Sequence, residues 1–460
     1  MEKESFILGE KAFYRTLFPI FLTIALQNLV AYSVNMADNL MLGAYSQTAL
    51  SGAATVNQIF FIVQTLALGV GDGFVVLAAQ YWGQRRTGPI RLLTGVALKL
   101  GTALGLLVTL ICGLFPYPVL RLFTADEAIV EAGAAYLALL KYSFLPFILT
   151  SVLIASLRSV ETVRISFAVS VISLIVNVAV NFTLIFGRFG FPELGVRGAA
   201  VGTVIARILE LGIVLVYLLR FDKKLLLFSE NFLRPSPELA RDYFKVELPV
   251  MLSQLLWAVS VPMQTAILGH LGAEASDTIA ANSVATTFYQ YLKVIVQAMS
   301  ATCAVMIGAA VGRGDERRVR EEARTLSVLS VAIGALLALA LLLLRRPLLS
   351  FYNLSPRAMS LAGSLLVVMS AVMAGMSYQM PVSMGIIRGG GDAKFTMYMN
   401  IISTWLIVMP LSFLSAFVLR WPAVNVVMVI QSDQIFKCLP VFLHFRRYRW
   451  IKKLTREAAG

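Results

Sequence analysis

The chemistry this chain can do is concentrated in a few polar side chains set in apolar stretches. Asp38 lies in Val34-Asn-Met-Ala-Asp-Asn-Leu-Met-Leu-Gly43, Asn177 and Asn181 in Val176-Asn-Val-Ala-Val-Asn-Phe-Thr183, and Thr203 in Gly198-Ala-Ala-Val-Gly-Thr-Val204. An ionisable side chain inside an apolar span is costly and usually faces a cavity. Taking a carboxylate out of water disfavours its charged form, so a proton or a sodium ion can neutralise it there. Asp38 lies only five residues before Gly43 and reads either as such a site or as an interfacial acid near the outer end of its helix. Asn177 and Asn181 are four residues apart and share one helical face. Their carboxamides can converge on one place or hydrogen-bond between packed helices. The small residues before Thr203 allow close helix packing, and its hydroxyl adds an oxygen.

Two further charges sit deep in apolar runs: Asp72 in Leu68-Gly-Val-Gly-Asp-Gly-Phe74 and Lys293 in Tyr289-Gln-Tyr-Leu-Lys-Val294. A buried acid and base of this kind are expected to pair across a cleft, unless Lys293 snorkels to the interface. Met369, Met373, Met376, Met380 and Met384 form a stripe, spanning a sector of about 80° on a helix. Such a stripe either fills gaps in the packing or forms a pliable wall for varied apolar substrates, with Tyr378 and Gln379 beside it. Phe288, Tyr289 and Tyr291 offer ring faces that hold organic cations. Lys99, Lys141, Arg207 and Glu210 lie near segment ends or other charges and read as structural, and Asp433 and Lys437 are spaced for an intrahelical pair.

The elements that carry these residues are membrane helices. Hydrophobic residues make up 58% of the 460-residue chain and charged residues 14%, against roughly 25% charged in a soluble domain. Twelve apolar segments have about the length needed to span a bilayer: 14–42, 50–80, 92–116, 129–155, 164–187, 196–219, 245–269, 278–311, 324–344, 358–387, 395–419 and 422–445. The chain also reads twice. Pro19, Gly83, Phe123 and Arg158 return as Pro249, Gly312, Phe351 and Arg388, at offsets of 230, 229, 228 and 230. Six helices per half is an even number, so both halves enter the membrane from the same side, as parallel repeats. The predicted class is an all-α, polytopic membrane protein with twelve transmembrane helices in two parallel, pseudo-symmetric six-helix bundles. The expected lobes are residues 1–220 and 244–460, joined by a cytoplasmic linker at 221–243 that contains Pro235 and Pro237.

Lys and Arg set the orientation. Arg85, Arg86, Arg158, Arg313, Arg317, Arg388, the linker and the tail (Arg446 to Arg456) share one side, while Arg121, Arg188, Arg197, Arg345, Arg346, Arg357 and Arg420 lie on the other. The positive-inside rule then places both termini in the cytoplasm of a multi-pass protein of the cell membrane. The net charge of +14 therefore faces lipid headgroups along one membrane surface, and nucleic acid is not an expected partner. Residues 1–13 do not read as a cleavable signal. Cys112, Cys303 and Cys438 fall far apart in apolar segments and read as packing residues rather than a disulfide framework. His270 and His444 have no partner at metal-ligand spacing. No metal motif, nucleophile elbow or phosphate loop points to an enzyme.

The ordered set Asp38-Asn-Leu-Met-Leu-Gly43, Gln80-Tyr-Trp-Gly83, Asn177 through Gly187, Phe191-Pro-Glu-Leu-Gly-Val-Arg-Gly-Ala-Ala200, Arg388-Gly-Gly-Gly-Asp392, Asp433-Gln-Ile-Phe-Lys437 and Arg449-Trp450 resembles the multidrug and toxic compound extrusion (MATE) transporters. The resemblance covers almost the whole chain. It implies two six-helix lobes forming a V, and export of cationic or amphipathic compounds, such as drugs and other xenobiotics, in exchange for H⁺ or Na⁺. It places a cation-coupling site on Asp38, Asn177, Asn181 and Thr203, with no bound metal or other cofactor beyond the coupling ion. Some members carry a glutamate in the seventh span, but the matching stretch Pro249-Val-Met-Leu-Ser-Gln-Leu-Leu-Trp257 has no acid. The expected form is a monomer in the bilayer. A major-facilitator transporter also has two parallel six-helix halves, but Gly83-Gln-Arg-Arg-Thr-Gly-Pro89 lacks the acid its turn carries. A flippase of lipid-linked saccharides on a related fold calls for a strongly cationic cavity, and Lys293 alone is clearly mid-span.

Overall fold

The computed structural model describes residues 10–124, 126–229, 232–269, 275–350 and 355–456. His270 and the repeat landmark Phe351 lie outside the described residues. Twelve helices are long and apolar enough to cross a membrane. In chain order they are α1 Lys11–Tyr45, α2 Gln47–Gly83, α3 Thr87–Leu114, α4 Glu127–Ser159, α5 Arg164–Ile185, α6 Val196–Arg220, α7 Pro237–Leu268, α8 Ala281–Arg313, α9 Glu316–Leu349, α10 Pro356–Ile387, α11 Ala393–Val418 and α12 Ala423–Arg446. Among the described residues no strand occurs. Side chains written into the sequence start several of the helices. Ser46, Asp126, Asp315, Ser355 and Asp392 each accept a hydrogen bond from a backbone amide of the turn that follows, as N-cap residues do.

The helices fall into two compact units, Leu26–Glu247 and Met1–Ala25 with Leu248–Gly460. This differs from a division after residue 220. The start of α1 joins the second half because Phe13 and Leu17 pack against Met299, Cys303, Ile307 and Val382. The linker belongs to the first unit because its carbonyls are tied to α3. Arg91 Nε donates to Leu225 O at 2.8 Å and Lys99 Nζ to Leu233 O at 2.8 Å. Leu225 and Leu227 are fully buried there.

Each unit wraps a central helix. The apolar window of α2 is 72% buried and that of α8 83%, against 44% or less elsewhere. These two helices end on the repeated glycines Gly83 and Gly312, so the internal repeat places corresponding helices at corresponding positions. Both are rich in Gly and Ala, which let neighbouring backbones approach. Cys112 and Cys303 are buried, and Cys438 Sγ lies 3.3 and 3.4 Å from the carbonyls of Gly375 and Gln434.

The tail is folded onto the second unit. Trp450 is fully buried, its Nε1 donates to Phe445 O at 3.0 Å, and Lys452 N donates to Gly390 O at 2.8 Å. A side chain at Gly390 would overlap the Trp450 ring. Asp392, in the turn before α11, meets His444 Nε2 at 3.1 Å and Lys452 Nζ at 3.0 Å, and the His444 ring stacks on Phe395. Burial pushes the Asp392 carboxyl up, but His444, Lys452 and the Phe395 amide outweigh it and hold it below the usual carboxylate range.

Candidate cation site

In the first unit, three helices bring their polar groups to one point. Asp38 comes from α1, Asn177 and Asn181 from successive turns of one face of α5, and Thr203 from α6. Asn181 Nδ2 donates to Asp38 Oδ1 at 2.5 Å and lies 3.3 Å from Asn177 Oδ1. Asn177 Nδ2 lies 3.4 Å from Thr203 Oγ1, whose own proton goes to Ala199 O at 3.1 Å. All four are buried, at 8%, 0%, 0% and 6% exposure, so Asp38 is not an acid standing in water or headgroups. Glycine makes the convergence possible: a Cβ at Gly202 would overlap Asn181 Oδ1.

Asn181 Oδ1 is buried and, among the described residues, has no hydrogen-bond partner. A buried acceptor left unsatisfied costs about 1–3 kcal/mol. Asn181 Oδ1 lies against Gly202 of α6, while the Asp38 carboxylate, Asn177 Oδ1 and Thr203 Oγ1 are linked through the two asparagine amides. Hard monovalent cations take oxygen ligands of this kind, and a proton neutralises the same carboxylate. Among the described residues no group of three His, Cys, Asp or Glu side chains could hold a metal ion.

Two residues at this site escape a sequence reading. Tyr136 of α4 lies beside Asp38 and Thr203, and no periodicity marks it. Arg207, read above as structural, is the cation whose field reaches Asp38. Its Nη1 is held by Glu210 at 2.8 and 2.9 Å, and its guanidinium lies 4.8 Å over the Phe147 ring. The spacing from Thr203 to Arg207 puts both on one face of α6, and that spacing was the available signal.

The other candidates are distributed differently. Asp72 Oδ1 pairs with Arg158 Nη2 at 3.4 Å within the first unit. Lys293 lies 4.9 Å over the Trp257 ring in the second unit, where Asp433 is the charge that acts on it. The expected Asp72–Lys293 pair is not found: Asp72 has an ion-pair partner inside its own unit, and Lys293 rests on an aromatic ring of its own unit rather than on an acid. Met369, Met373 and Met376 are buried in the apolar core of the second unit, with Met380 packed at its edge. Tyr378 turns to a different cluster, around Ile386 and Trp450. Gln379 is buried and donates to Gln434 Oε1 at 2.6 Å. Tyr289 donates to Met376 Sδ at 3.1 Å.

The MatE family model matches residues 23–183 and 249–414, one match in each half. A probable multidrug resistance protein, NorM, of Thermotoga maritima is 25% identical over 436 residues, covering 94% of this chain and 92% of that one. A crystal structure of a mutant of the Vibrio cholerae MATE transporter VcmN superposes with a TM-score of 0.86 at 18% identity, over 96% of this chain and 98% of that one. A MOP superfamily transporter from Pyrococcus furiosus gives a TM-score of 0.87 at 17% identity, over 98% of this chain and 99% of that one. With twelve membrane helices and a family match spanning both halves, the chain belongs to the MATE (multidrug and toxic compound extrusion) family of multi-pass membrane transporters.

Proposed function

We propose that this chain is a secondary active antiporter that exports cationic or amphipathic small molecules in exchange for H⁺ or Na⁺, with Asp38 as the group the coupling ion neutralises. The observation that carries this is a single carboxylate, buried and reached by Asn181, with an unsatisfied amide oxygen beside it. Ion binding changes the charge of that point by one unit. It also changes which side chains of α1, α5 and α6 can bond there, which is the differential interaction that alternating access requires. The relatives' description as multidrug resistance proteins supports the cargo class. The asymmetry of Lys and Arg supports cytoplasmic termini in the cell membrane, and a monomer suffices because the proposed site is complete within one chain.

The test is efflux from proteoliposomes under separately imposed pH and Na⁺ gradients. Wild type should respond to one of them, and Asp38→Asn should lose ion-driven efflux while still binding substrate. Full gradient-driven efflux by Asp38→Asn would remove Asp38 from the coupling role.

A further inference from the structure

The second unit holds a polar cluster that the coupling site does not use. Asp433 Oδ2 meets Lys437 Nζ at 2.8 Å and Asp433 Oδ1 accepts from Gln434 Nε2 at 2.9 Å. Lys437 also donates to Asn400 Oδ1 at 3.1 Å, and Asn400 Nδ2 donates to Ser253 Oγ at 2.6 Å. Gln434 in turn accepts from Gln379 at 2.6 Å. The network draws on α7, α10, α11 and α12, and both oxygens of its one carboxylate are engaged inside it.

Lys293 stands outside that network. Among the described residues its ammonium makes no hydrogen bond or ion pair. It rests over the Trp257 ring at 4.9 Å and feels Asp433 only through space. Among the described residues two amines, Lys293 and Lys437, therefore face one carboxylate, which leaves one positive charge in surplus there. The helix that carries Lys293 runs Ala275–Arg313, 18 residues before it and 20 after, so Lys293 lies near its middle. At mid-helix its ammonium is directed to the Trp257 ring rather than toward either end of the helix. An indole face contributes about 0.5–2 kcal/mol to an ammonium and a hydrogen bond to a charged group about 1.5–3 kcal/mol, so this half-buried amine has capacity for a stronger partner than the ring.

We propose that Lys293, over the face of Trp257, anchors a carboxylate of the transported molecule. This deepens the efflux reading and rests on it: the cargo would be amphipathic compounds that carry a carboxylate next to an apolar ring system. The surplus of one charge suits a monoanion better than a phosphate dianion. Tyr289, one turn before Lys293 and bonded to Met376, ties the anchor to the methionine-rich core of the same unit.

The test uses rhodamine 110, which has a free carboxylate, and rhodamine 123, its methyl ester. Their binding to the purified full-length protein in detergent is followed by fluorescence anisotropy. Wild type should bind the acid about ten-fold more tightly than the ester, as expected for one charge-assisted hydrogen bond. Lys293→Met should abolish that preference by weakening the acid, with the ester bound no more weakly than by wild type, and Lys293→Arg should keep it. Equal wild-type affinities, or a preference that survives in Lys293→Met, overturn the anchor, and the first comparison needs no variant to fold. Displacement of rhodamine 110 by phosphatidylglycerol but not by benzoate would give the site to a lipid phosphate and overturn the carboxylate assignment. Binding that favours the acid, with neither dye pumped under any gradient, would refute the efflux reading alone. Pumping of both dyes without preference would refute the anchor alone.

Discussion

Gly202→Ala puts a methyl group where Asn181 Oδ1 now lies. Forcing a methyl into a packed site costs about 1–3 kcal/mol if nothing yields. The obstructing atom is the end of a side chain, so Asn181 can rotate away. Rotation gives up the amide donated to Asp38, and a hydrogen bond to a charged group is worth about 1.5–3 kcal/mol. Either route removes at least about 1 kcal/mol from the working arrangement, roughly a five-fold loss or more in its population. The same helix supplies a control, because a Cβ at Gly212 meets nothing within 4 Å. Gly212→Ala should transport normally and gain up to about 1 kcal/mol of helix propensity. The assay is the initial rate of gradient-driven efflux from proteoliposomes, with thermal unfolding of each variant alongside. Gly202→Ala should fall at least about five-fold in rate while remaining folded. If both alanines transport like wild type, the packing of α6 against Asn181 does not set the site's geometry and the argument fails.

The pair Asp72–Arg158 should show coupling. Replacing either partner should destabilise the protein more than replacing both, by about 1 kcal/mol or less for this partly exposed pair, in a double-mutant cycle on chemical unfolding. The tail contact should depend on acid. Asp392 is held below the usual carboxylate range, so its contribution is complete above about pH 4 and is lost as pH falls through its lowered value. Asp392→Asn should therefore loosen residues 447–456 at pH 7, read as faster hydrogen exchange or tryptic cleavage at Lys452 and Lys453. Wild type should loosen in that way only in stronger acid, and equal exchange in the two proteins at pH 7 would contradict the role given to Asp392.

Twelve spans were legible because a membrane helix announces itself by length and apolarity alone. The observed limits differ from the expected ones by a few residues, as when 50–80 becomes Gln47–Gly83. At its start the extension Gln47-Thr-Ala49 is a turn fixed by the cap Ser46. Asn177 and Asn181 were legible as a pair because helical spacing is a local property. Tyr136 was not, because its place beside Asp38 depends on how α4 meets α1 and α6. The methionine stripe could be read as one face, but not what that face meets: three of its members turned out to be core packing. The network through Ser253, Gln379, Asn400 and Gln434 joins four helices through uncharged side chains, a type of contact that leaves no mark in any one segment. The grouping of residues up to Ala25 with the second half is likewise a matter of packing by Phe13 and Leu17.

The state of the three native thiols makes the wild-type chain a convenient background for spectroscopy. Cys112 and Cys303 are closed off from reagent, and Cys438 directs its sulfur at two backbone carbonyls. A maleimide or nitroxide should therefore react first with any cysteine added at an exposed position, such as 188 or 449. Distances between such labels can then be followed through a transport cycle without stripping the core of residues that help to fill it.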